Sequence, residues 1–593
     1  MTVNHSHLSS STQTIQYLSL VFKNWLTQLN LGLLLIVAAS LTGLYSTQFN
    51  TAHAQSMQFN DNPYGQAAPD NAQVNLNEAI KSFNGSDYLR ASLLFFDIIK
   101  DKETAANTID EQAEYYLGKT FYKLNLFQAS FEFFVRVVKS GRQHRYFKAT
   151  CKWLYFLSRK IPGDDELLKR IASYEPQDCQ KHSDQISFLR GQYHYKLSEL
   201  EEALRYLSMV SRDNVFFLKA TFLRGVTYSR MGQIKDAITA FAEILRYTFD
   251  SYNGIKSAAD VAFRRMKARQ GGQATQDKIS TGRLIDNVAQ GDYKNDLKYY
   301  SQLAVLNMAR LLYEQNKNRK AVRYYDYIPI NGYFWLEALF ESSWALFRMG
   351  PKFHEKALGN LHTLSSPFFR DEYTPEAPIL KAVILYSSCD YDKALSAINE
   401  FREVYEPLLN ELDGYVKDFS DPKQLYDFLR RIQADPSSSA RVSQILNALF
   451  EDQELKRVNS HITEMERELK VIQLAQSRWA NSDLANYVIQ TIMFTKDIAF
   501  DKAGQMAKAR LARVVEELRD LQGKVDAIDI EISTSDRTDT ELSLNGVEMQ
   551  RRLAIESKKR TPDAEHIYWP FDGEYWRDEL GYYLYSIKTK CGR

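Results

Sequence analysis

Two pairs of small residues recur at the same spacing and limit what this chain can fold into. Gly191 and Gly225 are 34 residues apart, and so are Ala203 and Ala237. In each copy the second small residue follows the first by twelve positions, and a large apolar residue comes four positions later. This spacing predicts two antiparallel helices that approach closely at the small residues. Such a helix pair cannot bury its apolar face alone, so the pairs must stack on one another.

The same pattern returns elsewhere in the chain. Further copies, each given by its two small residues, are Ala79 and Ala91, Gly118 and Ser130, Ala309 and Ala321, and Ala382 and Ala394. Another copy begins at Ser343 and carries two extra residues in its turn, so its second small residue, Ala357, comes later. The intervals 118–191 and 225–309 each have room for a divergent copy, and Trp153 falls in the first. Residues 76–402 therefore resemble the tetratricopeptide (TPR) superfamily. The predicted fold class is all-α, with a TPR-like α-solenoid over 76–435.

The resemblance implies a groove that binds partner peptides. In the TPR superfamily, positions five and twelve of the first helix of each repeat tend to line the concave surface. With the first small residue of each copy as position eight, the implied groove residues are Tyr115, Tyr122, Phe188, Tyr195, Phe222, Tyr313, Phe340, Phe347 and Tyr386. Aromatic side chains are typical of binding hot spots. The alternative is that these rings pack between repeats.

Charge and motifs narrow the functional classes. The formal net charge is +1, which argues against nucleic acid as the main partner because phosphate binding needs a basic excess. The sequence lacks the glycine-rich phosphate loop, the zinc-protease motif and the nucleophile-elbow motif. We therefore predict a protein that is not an enzyme, with no catalytic residues, cofactor or metal.

The N-terminus predicts export. An apolar run from Leu31 to Leu44 is followed by Ala52-His53-Ala54, a small-x-small cleavage pattern. We interpret 1–54 as a signal peptide and 55–75 as a flexible linker, which places the mature chain in the periplasm. The alternative is an uncleaved anchor in the inner membrane with the rest of the chain facing the periplasm. No later segment is apolar enough to predict a membrane span.

The four cysteines leave two possibilities open. They are Cys151, Cys179, Cys389 and Cys591. In an oxidising compartment an even number permits disulfides, and Cys151 and Cys179 are close enough in sequence to bridge the two helices of a divergent repeat. The alternative is that all four are small buried residues.

Residues 436–535 carry a different pattern. Apolar residues alternate in steps of three and four along two seams. The first contains Leu455, Val458, Ile462, Met465, Leu469, Ile472 and Trp479, and the second contains Leu511, Val514, Leu518, Leu521, Val525, Ile528 and Ile532. Such seams are typical of coiled coils, and a predicted turn at 480–483 favours an antiparallel hairpin over pairing with another chain. The stretch 487–494 near the turn is apolar on nearly every side, which predicts docking on a partner or on the body of the protein.

The C-terminal part, 536–593, contains a polar loop, a basic helix and an aromatic tail. Its candidate recognition residues are Trp569, Phe571, Tyr575 and Trp576. Three interpretations remain. The tail is a plug that caps the solenoid, a patch that binds a partner protein or glycan, or a catalytic or metal site formed by His566, Asp572, Glu574, Asp578 and Glu579.

Together these patterns predict a non-enzymatic periplasmic adaptor. Its partners would be other envelope proteins, bound through the groove and the coiled coil, and its oligomeric state is left open. The layout also resembles large periplasmic TPR proteins of Gram-negative envelope machines, including components of gliding motility. The alternative is a cell-wall or glycan enzyme or binding protein that uses the acidic and aromatic residues of the tail.

Overall fold

The computed structural model describes most of the chain after residue 68. The described ranges are 69–100, 107–249, 289–369, 372–435, 440–450, 452–543, 575–577 and 579–587, together with Thr589 and Cys591. Over these ranges the chain forms α-helices joined by short turns and contains no strand, which confirms the all-α prediction. The predicted signal peptide and residues 55–68 of the predicted linker lie outside them, whereas residues 69–75, which the sequence assigned to the flexible linker, belong to a helix that spans Pro69–Asn84. None of the described helices is long and apolar enough to cross a membrane.

The helices follow one another in pairs. In chain order they are α1 Pro69–Asn84, α2 Tyr88–Lys100, α3 Asn107–Lys123, α4 Phe127–Lys139, α5 Phe147–Ser158, α6 Asp165–Ala172, α7 Ser183–Lys196, α8 Leu200–Leu207, α9 Phe217–Arg230, α10 234–249, α11 Ala289–Glu314, α12 Asn318–Tyr325, α13 Trp335–Arg348, α14 His354–Leu364, α15 Glu376–Tyr386, α16 Tyr391–Asp418, α17 Pro422–Ala434, α18 Ala440–Phe450, α19 Gln453–Gln473, α20 Ser477–Ala480 and α21 Asp483–Ser543.

The chain divides into two compact units. The first unit comprises the described residues up to Gln233 together with Phe450–Met506. The second unit comprises Ile234–Leu449 and the described residues from Ala507 onward. Each unit therefore combines solenoid helices with a segment from the C-terminal third of the sequence.

The small residues of the repeat pattern lie where paired helices approach most closely. A Cβ atom on Gly191 would lie 2.6 Å from a side-chain carbon of Leu207, and one on Gly118 would lie 2.8 Å from the ring of Phe134. The second small residue of each pair is also buried, and Ser130 Oγ donates to the carbonyl oxygen of Gly118 at 2.7 Å. The predicted helix pairs, in which a small residue faces a large apolar one, are confirmed.

The turns between the two helices of each pair share a further feature. Seven residues after the first small residue, the backbone adopts a positive φ. These residues are Ser86, Asn125, Ser198, Gly232, Asn316, Gly350 and Cys389, with φ from 57° to 99°. A left-handed residue ends the first helix and reverses the chain for the second. Gly350 differs in its ψ of 179° and is followed by a short 3₁₀ helix, which gives that copy a longer turn. The recurrence of a positive φ at one position shows that the repeats share backbone geometry as well as spacing.

The interval between Gly118 and Gly191 contains the predicted divergent repeat. Helices α5 and α6 form it, and Asp164 caps α6 by accepting the backbone N–H of Leu167 at 3.0 Å. Cys151 on α5 is bonded to Cys179, with the Cα atoms 5.7 Å apart. Of the two possibilities left open by the sequence, the structure therefore shows the disulfide for this pair.

The first seam packs against the solenoid helices of the first unit. Its residues are buried, except that Leu469 is only half-buried. Trp479 Nε1 donates to Ser92 Oγ on α2 at 2.8 Å, and a Cβ on Gly163 would clash with the backbone of Arg457 on α19. Ser482 caps α21 at the predicted turn, where its Oγ accepts the N–H of Ala485 at 3.1 Å.

The predicted docking segment near the turn also has its contacts in the first unit. Tyr487 Oη donates to Glu132 on α4 at 3.0 Å and accepts from Arg136 at 2.7 Å. The opposite face of α21 leaves Met493 and Phe494 more than half exposed. Lys496 Nζ lies 3.6 Å from a carboxylate oxygen on α19, as expected for two antiparallel helices joined by the turn.

The second seam contributes to the second unit. Leu511, Leu518, Leu521, Val525 and Ile532 are buried, whereas Val514 and Ile528 are half-buried. Polar contacts on α21 fix its position against α16. Arg402 Nη1 and Nη2 reach two carboxylates of α21 at 2.8 and 2.9 Å, and Gln522 donates to Glu406 at 3.4 Å. The two seams therefore bury their apolar residues in different units.

Candidate functional site

The predicted groove residues are distributed between buried and half-buried positions. Tyr115, Phe188 and Tyr195 retain at most 6% of their accessible surface. Tyr115 stacks on Tyr146 at 4.5 Å and accepts a hydrogen bond from Trp153 Nε1 at 3.1 Å. These contacts belong to the packing of α3 against the next repeat, so these three rings offer little surface to a partner.

The other six rings are half-buried. They are Tyr122, Phe222, Tyr313, Phe340, Phe347 and Tyr386. In the second unit, Arg348 lies 4.4 Å above the ring of Tyr313, and Phe347 stacks against His354 at 5.4 Å. In the first unit, Tyr122 lies edge-on to Trp153 at 5.2 Å. The role of these six rings in binding a partner stays a prediction. One of them, Tyr122, belongs to a larger surface that also contains cationic side chains.

That surface combines half-buried rings with cationic side chains on consecutive repeats of the first unit. We call it the basic-aromatic face and define it by Lys119, Lys123, Lys152, Arg159 and Lys181 together with Tyr116, Tyr122, Phe156 and His182. Lys119 and Lys123 come from α3, Lys152 and Arg159 from α5 and its end, and Lys181 from the turn before α7. The solenoid therefore brings together charges that are far apart in sequence.

The rings of this face form a continuous series. Tyr122 lies 6.4 Å from Phe156, and Phe156 lies 5.5 Å from the imidazole of His182. Lys119 Nζ lies 4.0 Å from the centroid of Tyr116, and Lys152 Nζ lies 5.5 Å from the ring of Trp153. Cation–π contacts of this kind hold the ammonium groups over the rings. Apolar area and positive charge are thus presented side by side.

The cations of the face repel one another. Burial and, after it, the nearby ammonium groups of Lys152 and Lys123 lower the pKa of Lys119. Burial and then Lys152 and Lys181 lower the pKa of His182, so its ring is neutral at pH 7. Like charges held this close destabilise the unit unless an anion lies between them. An anionic group that bound at the basic-aromatic face would therefore be stabilised by these cations.

The described carboxylates do not pair with the cations of this face. Among the residues that the structure describes, none of Lys119, Lys123, Lys152, Arg159 and Lys181 forms an ion pair. Elsewhere in the first unit such pairs are common. Lys196, for example, contacts Asp165 at 3.1 Å and Glu454 at 2.8 Å. The feature of this face is therefore that several cations without a paired carboxylate lie together beside a row of rings.

The repeat pattern of the sequence does not point to the charges of this face. The superfamily pattern directs attention to positions five and twelve, whereas Lys119 occupies position nine of its repeat and Lys181 precedes a helix. A usable signal was present, because Lys119 and Lys152 are separated by nearly one repeat length. A net charge near zero concealed it, since acidic residues elsewhere offset the local excess.

The residues proposed for the C-terminal patch do not gather into a described site. Tyr575 is half-buried and stacks on His362 at 4.7 Å, whereas Trp576 is 53% exposed. Trp569 and Phe571 lie outside the described residues, as do His566, Asp572, Glu574 and Asp578 of the catalytic interpretation. Glu579 is exposed. Within the described part of the chain, no three metal-ligating side chains form a cluster.

Comparison with known proteins gives weak structural similarities. No protein family and no curated protein matches the sequence. The apo form of RapI is 10% identical with a TM-score of 0.27, covering 72% of this chain and 97% of that chain. The apo form of the quorum sensor NprR from B. thuringiensis is 12% identical with a TM-score of 0.25, covering 72% and 98%. A circular tandem repeat protein is 13% identical with a TM-score of 0.11, covering 80% and 98%. Similarities at this level carry no inference about what the chain binds.

Proposed function

We propose that the protein is a non-enzymatic interaction scaffold whose first unit binds an acidic peptide segment of a partner protein on the basic-aromatic face. The observation that carries the proposal is a set of five cations that pair with no described carboxylate and lie beside a row of rings. Carboxylates of a partner would relieve the repulsion, and its apolar side chains would cover the rings. Solenoids are well suited to this role because their stacked repeats present extended surfaces.

We further propose that the chain works in the periplasm, where it contacts other envelope proteins. The predicted signal peptide supports this location. Two disulfides support it as well, because such bonds persist in oxidising compartments. Inner-membrane anchoring and a role in an envelope machine such as gliding motility stay predictions from the sequence.

The basic-aromatic face can be tested with charge reversal. In the Lys123→Glu/Lys152→Glu variant, we expect binding of a fluorescein-labelled peptide of alternating glutamate and phenylalanine to weaken at least tenfold, or about 1.4 kcal/mol. Fluorescence anisotropy in 50 and 300 mM salt measures the affinity, which should fall with salt in the wild type. Both lysines are exposed, so the variant should remain folded.

A matched control separates the face from net charge. Lys139→Glu/Lys470→Glu makes the same charge change at two exposed lysines of the first unit that lie on α4 and α19. We expect it to bind the peptide like the wild type. Equal losses in both double variants, or equal binding of a peptide of alternating lysine and phenylalanine, would overturn the acidic-peptide proposal.

A further inference from the structure

The C-terminal segment 579–587 lies on the helices of the second unit, and from Gly581 onward every second residue is turned inward. Gly581, Tyr583, Tyr585 and Ile587 are half-buried, whereas Tyr582, Leu584 and Ser586 are exposed. A period of two is typical of extended backbone. Residues 579–582 form a turn, and no strand accompanies the segment in the described part of the chain, so residues 583–587 lie against helices as a single extended peptide.

Side chains of the segment pack against residues of α13 and α14. Leu580 is 5% exposed and joins the apolar cluster that contains Trp335 and Ile328. Tyr583 lies edge-on to His362 at 5.0 Å. Burial, reinforced by the nearby Lys381, lowers the pKa of His362 to about 4, so the imidazole is neutral at pH 7 and acts as an aromatic surface.

The backbone of the segment is held as well. The N–H of Gly581 donates to Thr363 Oγ1 at 3.0 Å, and the N–H of Tyr585 donates to the carbonyl oxygen of Glu355 at 3.1 Å. Hydrogen bonds to the backbone position a peptide independently of its side chains. The contacts at the inward positions determine which side chains the surface accepts. Both features are typical of peptide-recognition surfaces.

Two glycines make the close approach possible. Gly359 lies in the middle of α14, where glycine destabilises a helix, and a Cβ there would clash with the carbonyl oxygen of Tyr583. Gly581 has φ 85°, and a Cβ on it would lie 2.8 Å from the ring of Trp335. The close contacts of the segment with α14 and with Trp335 therefore require glycine at both positions.

A covalent bond fixes the segment in place. Cys591 is bonded to Cys389, the left-handed residue of the turn between α15 and α16, and the two Cα atoms lie 5.1 Å apart. The tether keeps the segment at a high effective concentration near its site. The non-covalent contacts can then be individually modest and still remain formed.

We propose that Trp335, Glu355, Gly359, His362 and Thr363 form a binding site for an extended peptide, and that its resident ligand is the chain's own segment 579–587. We call it the tail site. Its ligand class is a peptide with leucine and glycine followed by aromatic side chains at alternate positions. The same segment supplied as a separate molecule, or by a second copy of the chain, binds there once the resident segment has left. The tail site is independent of the basic-aromatic face.

The test begins with the full-length chain, so that the protein folds with its own tail present. A Cys389→Ser/Cys591→Ser variant carries a protease site inserted after Lys559. After cleavage, size-exclusion chromatography removes the released fragment, and circular dichroism checks that the helical content is retained. A fluorescein-labelled synthetic peptide of residues 575–591, with serine at position 591, is then added, and its anisotropy is measured.

We expect saturable binding of this peptide. A peptide with Tyr583→Ala and Tyr585→Ala should bind at least tenfold more weakly, because both inward rings are removed. This comparison leaves the receptor unchanged, so it does not depend on how a receptor variant folds. Absence of binding to the cleaved, folded chain, or equal binding of the two peptides, would overturn the tail site.

A pair of glycine variants tests the location of the site. Gly359→Ala places a methyl group against the carbonyl of Tyr583 and should reduce binding at least tenfold. Gly414→Ala makes the same change within α16, where nothing lies within 4 Å of the new methyl group, and should leave binding unchanged. If Gly359→Ala retains full affinity, the peptide binds elsewhere and the tail site is wrong.

Discussion

Single residues of the first unit connect α19 to the solenoid through a buried polar cluster. Glu468 is fully buried, and its Oε1 accepts the backbone N–H of Gln128 at 2.7 Å, near the start of α4. His461 Nε2 lies 2.7 Å from Gln128 Oε1 and 3.9 Å from Asp164 Oδ2. The side chain of Glu468 therefore satisfies a helix N-terminus that its own sequence leaves without a side-chain cap.

This cluster predicts a pH dependence of stability. Burial is the main reason that the pKa of Glu468 is raised to about 8, and Glu464 adds to it, while Arg467 and the backbone N–H groups oppose it. Between pH 4.5 and 8 the native state holds a proton that the unfolded state has lost. Stability is therefore fully present below about pH 4.5 and is lost as pH rises through 8, by at most about 1.4 kcal/mol per pH unit.

The window from pH 6.5 to 8 isolates this effect. Burial lowers the pKa of His461. Its contribution opposes that of Glu468, acts mainly below about pH 6.5 and fades above that value, where the histidine loses its proton in the unfolded state as well. We expect the melting temperature of the wild type to fall across this window relative to Glu468→Gln. Glu201→Gln, an exposed change on α8, should follow the wild type. Parallel pH profiles of the wild type and Glu468→Gln would show that Glu468 is ionised in the fold.

Residue-level sequence reasoning located rings but not their surroundings. Position twelve of the repeat predicts Tyr195 as a groove residue, whereas Tyr195 is 1% exposed and lies under the guanidinium of Arg230 at 4.8 Å. Spacing alone gives the face of a helix on which a ring lies. Whether solvent or the next repeat covers that face depends on neighbouring side chains that the pattern does not specify.

At the scale of elements, the repeat spacing predicts a measurable difference between glycines. Gly191→Ala places a methyl group within 2.6 Å of Leu207 and should destabilise the first unit by about 1–3 kcal/mol through overpacking. Gly523→Ala lies in α21 where nothing is within 4 Å, and should stabilise the helix by about 0.5–1 kcal/mol. Thermal melting followed by circular dichroism measures both. Stabilisation by both changes would mean that the helix pair is looser at Gly191 than the structure shows.

The heptad seams show where element-level prediction ends. A spacing of three and four correctly predicts which side of α19 and α21 is buried. It does not identify the surface that buries it, because a solenoid helix and a coiled-coil partner both accept an apolar stripe. Leu469 illustrates the point, since it fits the seam and is only half-buried, whereas the neighbouring Glu468 is fully buried beneath α4.

At the scale of the whole molecule, each unit has one disulfide. Cys151 and Cys179 are separated by 28 residues within the first unit, and Cys389 and Cys591 by 202 residues within the second. Sequence spacing suggested the first bond because short separations are easily bridged. It could not suggest the second, because the tail's return to the turn after α15 depends on tertiary packing.

The two bonds predict separate effects on stability. A disulfide stabilises mainly by restricting the unfolded chain. The stability lost on removing it therefore increases with loop length, from about 3.6 kcal/mol for the shorter loop to about 5.3 kcal/mol for the longer one. We expect Cys151→Ser/Cys179→Ser to lower amide-exchange protection within 107–233, and Cys389→Ser/Cys591→Ser to lower it within 289–435. Hydrogen exchange with mass spectrometry assigns each loss to its peptides. Each double variant serves as the control for the other, since both replace two cysteines by serines. If either variant lowered protection equally in both ranges, the two units would unfold together, and a bond in one unit would stabilise the whole chain.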